Sequence, residues 1–261
     1  MKEKISEDIV IYNDDAFNVL PSIDSESVDL IVTDPPYFLS NGGISCSNGK
    51  MVSVDKGDWD KTSISIEDFY RKFLIQAKRV LKPNGTIWVF GTMHNIYYLG
   101  YLLQELEFKL LNNITWQKSN PPPNLSCRMF THSTETIIWA KKNAESKHFF
   151  NYELMKEING GKQMKDVWTT STINKKEKTF GKHPTQKPIK IIKNIILASS
   201  KRDDLVLDCF MGSGTTIDAC VQLGRKAIGI ELDEGYFNIA KDRVSFRVNN
   251  NQISFFDKEK K

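Results

Sequence analysis

No apolar run in this 261-residue chain reaches the ~20 residues that a membrane-spanning helix needs. Met1 to Asp8 is charged and lacks the apolar stretch of a secretory signal, so a cytoplasmic protein without a membrane partner is expected. Cysteine is sparse. Cys46, Cys127, Cys209 and Cys220 include no CxxC pair, which argues against zinc and for free, mostly buried thiols; no metal is expected. There is no internal repeat. The net charge of +4 is too small to identify a nucleic-acid partner by itself. What is present is an ordinary globular composition, 40% apolar and 26% charged, enough for one large domain or a domain with an insertion.

Strand-like and helix-like segments alternate. Ile9 to Tyr12, Val28 to Thr33, Thr86 to Phe90, Ile114 to Trp116, Glu135 to Ala140, Asp204 to Leu207 and Ala227 to Ile230 read as strands. Glu67 to Leu81 has helical spacing and ends at Lys82-Pro83-Asn84-Gly85. Asn95 to Leu106, Lys187 to Ser199, Thr215 to Leu223 and Glu234 to Val244 read as further helices. This alternation predicts an α/β fold, a doubly wound and mostly parallel sheet covered on both faces. Two stretches break the rhythm. Leu39 to Asp58, rich in Gly, Ser and Asn, reads as a loop that is mobile without a ligand. The lysine-rich segment 141–182 reads as an insertion, and 249–261 as a frayed polar tail.

Leu205 to Thr216 reads LVLDCFMGSGTT: a strand ending in Asp208, a glycine turn, then a helix. Gly212 and Gly214 let backbone approach a ligand where a side chain would clash. About 23 residues after Asp208 the next strand ends in Glu231, a placement that suits the two hydroxyls of a ribose. A P-loop is excluded because no lysine follows Gly214. Ile217 stands where a dinucleotide fingerprint has its third glycine. S-adenosylmethionine, which has a ribose and no phosphate, is the remaining nucleoside ligand; a ligand-free tight turn is the bland alternative.

Asp34-Pro35-Pro36-Tyr37 follows a strand directly, at the carboxyl edge where open α/β sheets bind ligands. The prolines stiffen the backbone and leave their carbonyls as acceptors. The Asp34 carboxylate and the Pro35 carbonyl suit an exocyclic amine on an aromatic base. Two acceptors favour a pyramidal nitrogen whose lone pair is free to attack, and the Tyr37 ring offers a surface for the base. A strand-ending turn without chemistry is the plain alternative.

DPPY at 34–37, DCFMGSGTT at 208–216 and HPTQKP at 183–188 together resemble the amino-methyltransferases of DNA modification. With the catalytic motif first, the order resembles their β class. DPPYFLSNGG, VSVDKGDWD, NNITWQK, CRMFTHSTETI and GKQMKDVW look like the second adenine methyltransferases of Dpn-type GATC systems. The resemblance implies a permuted Rossmann-like methyltransferase fold, transfer of methyl from S-adenosylmethionine to adenine N6, GATC as target on double- and single-stranded DNA, a place in a restriction–modification system, and a homodimer. It makes Asp34, Pro35, Pro36 and Tyr37 catalytic. It assigns the cofactor to Asp15, Asp34, His183, Thr185, Lys187, Asp208, Phe210, Gly212, Ser213, Gly214, Thr215, Thr216 and Glu231. Cys209 departs from the family's usual proline, a change expected to be tolerated. The implied division is 1–140 catalytic half, 141–182 target recognition, 183–248 cofactor half and 249–261 tail.

DNA contacts are expected from Phe38 and Asn41, closing over a flipped base, and from Arg128, Lys162 and Lys165. For the lysines an ordinary solvated face is the alternative, and for Arg128 a plain connecting loop. An N4-cytosine enzyme, a silent DNA-binding subunit and an RNA or protein methyltransferase remain rival readings. Asp rather than Ser at 34 favours adenine.

Overall fold

The computed structural model describes residues 1–38, 44–47, 50–53, 65–173 and 175–250. Its strands are β1 (Lys2–Lys4), β2 (Ile9–Asn13), β3 (Val28–Thr33), β4 (Ile44–Ser47), β5 (Lys50–Ser53), β6 (Leu81–Gly91), β7 (Lys109–Lys118), β8 (Thr134–Lys141), β9 (Val167–Thr170), β10 (Leu205–Asp208) and β11 (Lys226–Glu231). Its helices are α1 (Ala16–Val19), α2 (Ile66–Val80), α3 (Ile96–Glu105), α4 (Tyr152–Ile158), α5 (Ile189–Ser199), α6 (Thr215–Leu223) and α7 (Glu234–Asn249). Nine strands form one sheet in the order β1-β2-β11-β10-β3-β6-β8-β7-β9, while β4 and β5 pair as a hairpin. The five strands from β2 to β6 in that order are mutually parallel. The doubly wound, mostly parallel sheet expected from the sequence is therefore what the chain forms.

Each central strand is apolar on both sides because both faces are covered. Leu30 and Val32 of β3 join one core with α5, α6 and α7; Val28 and Ile31 join the other with α1, α2 and α3. α2 shows how such a helix is specified. The Ser65 side chain caps it, Glu67 and Asp68 lie in its first turn, and Lys78 and Arg79 in its last, each matched to the helix dipole. Its buried face is Tyr70, Phe73, Leu74, Ala77 and Val80. The helix after β3 lies on one face and the helix after β10 on the other. The two strands are neighbours, so a crevice opens between them at their carboxyl ends.

Several boundaries differ from the sequence reading. β6 begins at Leu81, immediately after α2, so Lys82 to Gly85 lies within the strand. β7 begins at Lys109, since the alternation read at Ile114 continues outward along the sheet. Segment 141–182 is not a separate body. β9 adds to the sheet beside β7, and Trp168 packs 6.0 Å from Trp88, which itself stacks on Trp139 at 4.8 Å. α7 continues to Asn249, and residues 251–261 lie outside the described residues, as does most of 39–58. The first and last described elements are neighbours in space. β2 runs parallel to β11, and Lys241 on α7 pairs with Glu3 at 2.7 Å. Among the described residues no helix is long and apolar enough to cross a membrane.

Candidate active site

A cavity of about 340 Å³ fills the crevice. The turns after five neighbouring parallel strands feed it: Asp14 and Asp15 after β2, Asp34 after β3, Phe90 from β6, Asp208 to Thr216 after β10, and Glu231 closing β11. Five carboxylates and one lysine, Lys187, line it. Such a field attracts a cation and repels phosphates.

The glycine turn is shaped by close packing. Gly212 and Gly214 have φ of +52° and +76°, backbone that L side chains rarely adopt. A Cβ on Gly214 would stand 2.8 Å from that of Ala240 on α7, and one on Gly212 would stand 3.1 Å from the His183 ring. His183 in turn lies edge-on to Tyr236 at 4.2 Å. The Gly212 N–H donates to Glu231 at 2.8 Å, and Asp233 N–H donates to the other Glu231 oxygen at 2.9 Å. Asp208 accepts from Phe210 N–H at 3.1 Å, and Asp15 caps α1 by accepting from Phe17 N–H at 2.8 Å. Burial pushes the Asp208 and Glu231 carboxyls up to about 7, against these hydrogen bonds.

On the β3 side the carboxylate is paired instead. Asp34 accepts from the Tyr37 hydroxyl on one oxygen and from Lys187 Nζ on the other. Burial raises the Asp34 pKa, opposed by Lys187 and reinforced by Glu135 on β8. Burial would lower that of Lys187, but Asp34 and Glu135 together raise it. The Pro36 carbonyl accepts from the Tyr70 hydroxyl at 2.6 Å, and Asn95 donates to that hydroxyl at 3.2 Å. A line of α2 and α3 side chains thus fixes the Asp34 turn from behind.

Of the residues expected at the cofactor, all line this cavity except Gly214, whose φ permits the turn. Pro36 lines it too; Pro35 and Tyr37 do not. Tyr37 is buried with its hydroxyl on Asp34, so the open stacking surface expected of it is absent in this arrangement. Phe38 is also turned inward, 4.9 Å from Phe69, rather than over the cavity. Its apolar ring joins the core beside α2. Asn41 lies outside the described residues. Arg128 is exposed on the loop between β7 and β8. That loop leaves the same edge as the cavity, because β8 pairs Thr136 with Gly91 at the end of β6. Lys162 and Lys165 are exposed ahead of β9 on the outer flank of the sheet, away from the cavity lining. Lys141 and Lys142 sit at the opposite edge, with their ammonium groups on the Ser146 and Leu81 carbonyls. All four lysines therefore lie away from the cavity, at the starts of the parallel strands or on the sheet's outer flank.

Sequence reasoning missed four contributors. Glu135 opens a strand read only for its apolar run, and Tyr70 falls on an apolar helix stripe read only as core. Asn95 gave no signal beyond a helix start. Arg243 is buried on α7, where it donates to Thr215 Oγ1 at 2.7 Å and to Gln186 at 3.2 Å. It ties the glycine turn to the HPTQKP segment.

A doubly wound sheet with an acidic cavity at its switch point, lined by five carboxylates and no basic cluster among the described residues, suits a nucleoside ligand that carries positive charge rather than phosphate. The DNA methylase family model, covering N6 and N4 methyltransferases, matches residues 28–242, and the chain belongs to that family. Type II methyltransferase M2.LlaDCHI of Lactococcus lactis subsp. cremoris is 60% identical over 92% of this chain and 90% of its own. Type II methyltransferase M2.DpnII of Streptococcus pneumoniae is 57% identical over 90% and 89%. The crystal structure of the M1.HpyAVI–SAM complex superposes with a TM-score of 0.64 and 28% identity, covering 90% of this chain and 99% of that one. The chain is thus a DNA methyltransferase that uses S-adenosylmethionine. Its cavity fits that group: a carboxylate closes each of β10 and β11, the turn between is glycine, and no basic phosphate cradle is present.

Proposed function

We propose that this protein methylates the exocyclic N6 of adenine in DNA, at GATC, within a type II restriction–modification system, acting on double and single strands. The observation that carries this reading is the Asp34 carboxylate, held at the cavity's edge by Lys187 and Tyr37, with the Pro35 carbonyl one residue away. The resemblance of the sequence motifs to the second adenine methyltransferases of Dpn-type GATC systems, together with Asp rather than Ser at 34, supports adenine and GATC.

S-adenosylmethionine supplies, when bound, a methyl group on a sulfonium, already a good leaving group. The protein's task is then to place and polarise the amine. A base inside a duplex is out of reach and must be flipped out or come from a single strand. Asp34 accepts one N–H and Pro35 the other, since Tyr70 occupies the Pro36 carbonyl. Both bonds draw the nitrogen towards a tetrahedral shape. Asp34 then offsets the positive charge that grows on nitrogen as the C–N bond forms and the C–S bond breaks; the sulfur leaves as a neutral thioether with the bonding pair, and the surplus N–H proton passes to solvent. Glu231 and Asp15 line the cavity, where Glu231 would hold the ribose hydroxyls and Asp15 would serve the adenine end of the cofactor. Asp208 supports the turn that carries Phe210, Gly212, Ser213 and Thr216. Thr215 is held by Arg243. His183 and Thr185 close the other side. Arg128, Lys162 and Lys165 contact DNA.

The test is methyl transfer from labelled S-adenosylmethionine to single- and double-stranded oligonucleotides carrying GATC, with GTTC controls. N6-methyladenine confined to GATC is the expected product. N4-methylcytosine, or methylation of other sequences, would overturn the base or the target assignment respectively. Cofactor binding with no transfer to any DNA would favour a silent DNA-binding subunit.

A further inference from the structure

Behind Asp34 runs a line of four charges that alternates in sign: Asp34, Lys187, Glu135 and Lys118. Lys187 Nζ pairs with Asp34 Oδ2 and lies 3.5 Å from Glu135 Oε2. The other Glu135 oxygen takes the Lys118 ammonium at 2.7 Å. The side chains are 20%, 8%, 14% and 16% exposed in that order. Two positive and two negative groups make the set neutral. Neither Glu135 nor Lys118 lines the cavity, so neither is placed to touch the cofactor.

Glu135 Oε2 is the unusual member. It is a buried carboxylate oxygen with no hydrogen-bond partner, aimed at Lys187 from just beyond bonding distance. The charge itself is paired, by Lys118 and Lys187, but a buried carboxylate oxygen without a hydrogen bond of its own calls for a reason. The amine reading supplies one. An ammonium held wholly by Asp34 weakens that carboxylate as an acceptor. An ammonium shared with a second carboxylate weakens it less.

We propose that Glu135 is a positioning residue for methyl transfer: it shares the Lys187 ammonium with Asp34 and takes the larger share as the target amine donates to Asp34. No covalent step is involved; an ammonium moves by under a bond length between two acceptors. The inference rests on the reading of Asp34 as the amine's acceptor. The titratable groups that face Asp34 are Tyr37 on its own turn, Lys187 ahead of α5, Glu135 on β8 and Asp208 after β10; Tyr70 on α2 acts through Pro36. Lys118 on β7 acts through Glu135.

The experiment measures kcat at saturating DNA and cofactor across pH, with cofactor affinity, for Glu135→Gln and Lys118→Gln in the full chain. In Glu135→Gln, kcat falls about tenfold, the size of one modest transition-state contact, while cofactor affinity changes less than about twofold. Removing a negative neighbour lowers the pH at which Asp34 titrates, so the acidic limb of kcat moves down. In Lys118→Gln a positive neighbour is lost and the limb moves up. Opposite shifts are a signature that lost packing does not produce. If Glu135→Gln fails to fold, the upward shift in Lys118→Gln still decides. Limbs that stay put or move together would overturn the proposal, as would a loss confined to cofactor affinity. The methylated base is identified in the same reactions. Methylcytosine in place of methyladenine would remove the adenine reading and leave the two shifts standing.

Discussion

The two sides of the strand edge hold their carboxylates in different ways. On the β10–β11–β2 side, Asp208, Glu231 and Asp15 accept from backbone N–H groups, and among the described residues Lys187 is the one lysine that reaches the cavity. On the β3–β8 side, Asp34 and Glu135 are matched by Lys187 and Lys118. The first side gives its carboxylates no ammonium partner among the described residues, so its negative charge grows as pH rises through about 7 and suits a cationic ligand. The second is already neutral, so what it offers a substrate is acceptor geometry. On the proposed reading, one edge of one sheet binds a cation and, beside it, orients an uncharged amine.

The largest test of this contrast is Asp34→Ala. Methyl transfer should fall by about 10³-fold or more, as when an oriented acceptor for developing charge is lost, while cofactor affinity stays within about threefold. Comparable losses in both, measured by kinetics and calorimetry, would erase the distinction between the sides. Glu231→Ala should do the reverse. Losing a charged hydrogen-bond acceptor of about 1.5–3 kcal/mol weakens cofactor binding by about 10- to 100-fold, with kcat at saturation little changed. Tyr70→Phe removes the donor to Pro36 without touching either ligand. A loss of about 1 kcal/mol, or several-fold in kcat, is expected with unchanged cofactor affinity; an unchanged kcat would detach the turn from its support.

The smallest effect is on stability. Asp208 and Glu231, at about 7, bind protons more tightly folded than unfolded, where ordinary carboxyl values hold. Their contribution is therefore fully present at low pH, fades as pH rises through the ordinary carboxylate range towards 7, and becomes a net cost above it. A cationic cofactor offsets that cost. Its stabilisation in thermal melts should be greater near pH 8 than near pH 6, since the two carboxyls are ionised only in the former. An equal shift at both would mean that these carboxyls do not face the cofactor's charge.

Much of the fold was legible along the chain, because each element of the doubly wound core carries its own period. β3 and β10 were readable as short apolar runs leading into Asp, and α2 as an apolar stripe at helical spacing. β1, α4 and β9 were not. They are short, polar on one side, and stabilised by what they dock against: α4 on α5, and Trp168 of β9 on Trp88. The glycine turn and DPPY were legible as candidate sites since their residue types are demanded by local backbone and chemistry. The roles of Tyr37 and Phe38 were not, because whether an aromatic ring faces a cavity or a core depends on neighbours 30 residues away on α2.

The sequence alone determined which strands end in carboxylates, where backbone must be glycine, and that no phosphate cradle exists. These follow from local covalent and steric facts. Only the tertiary structure decided which carboxylates keep a counterion. Lys187 lies 153 residues from Asp34 and 52 from Glu135, and electrostatic pairing depends on distance through space, which the folding of the sheet sets and chain order does not.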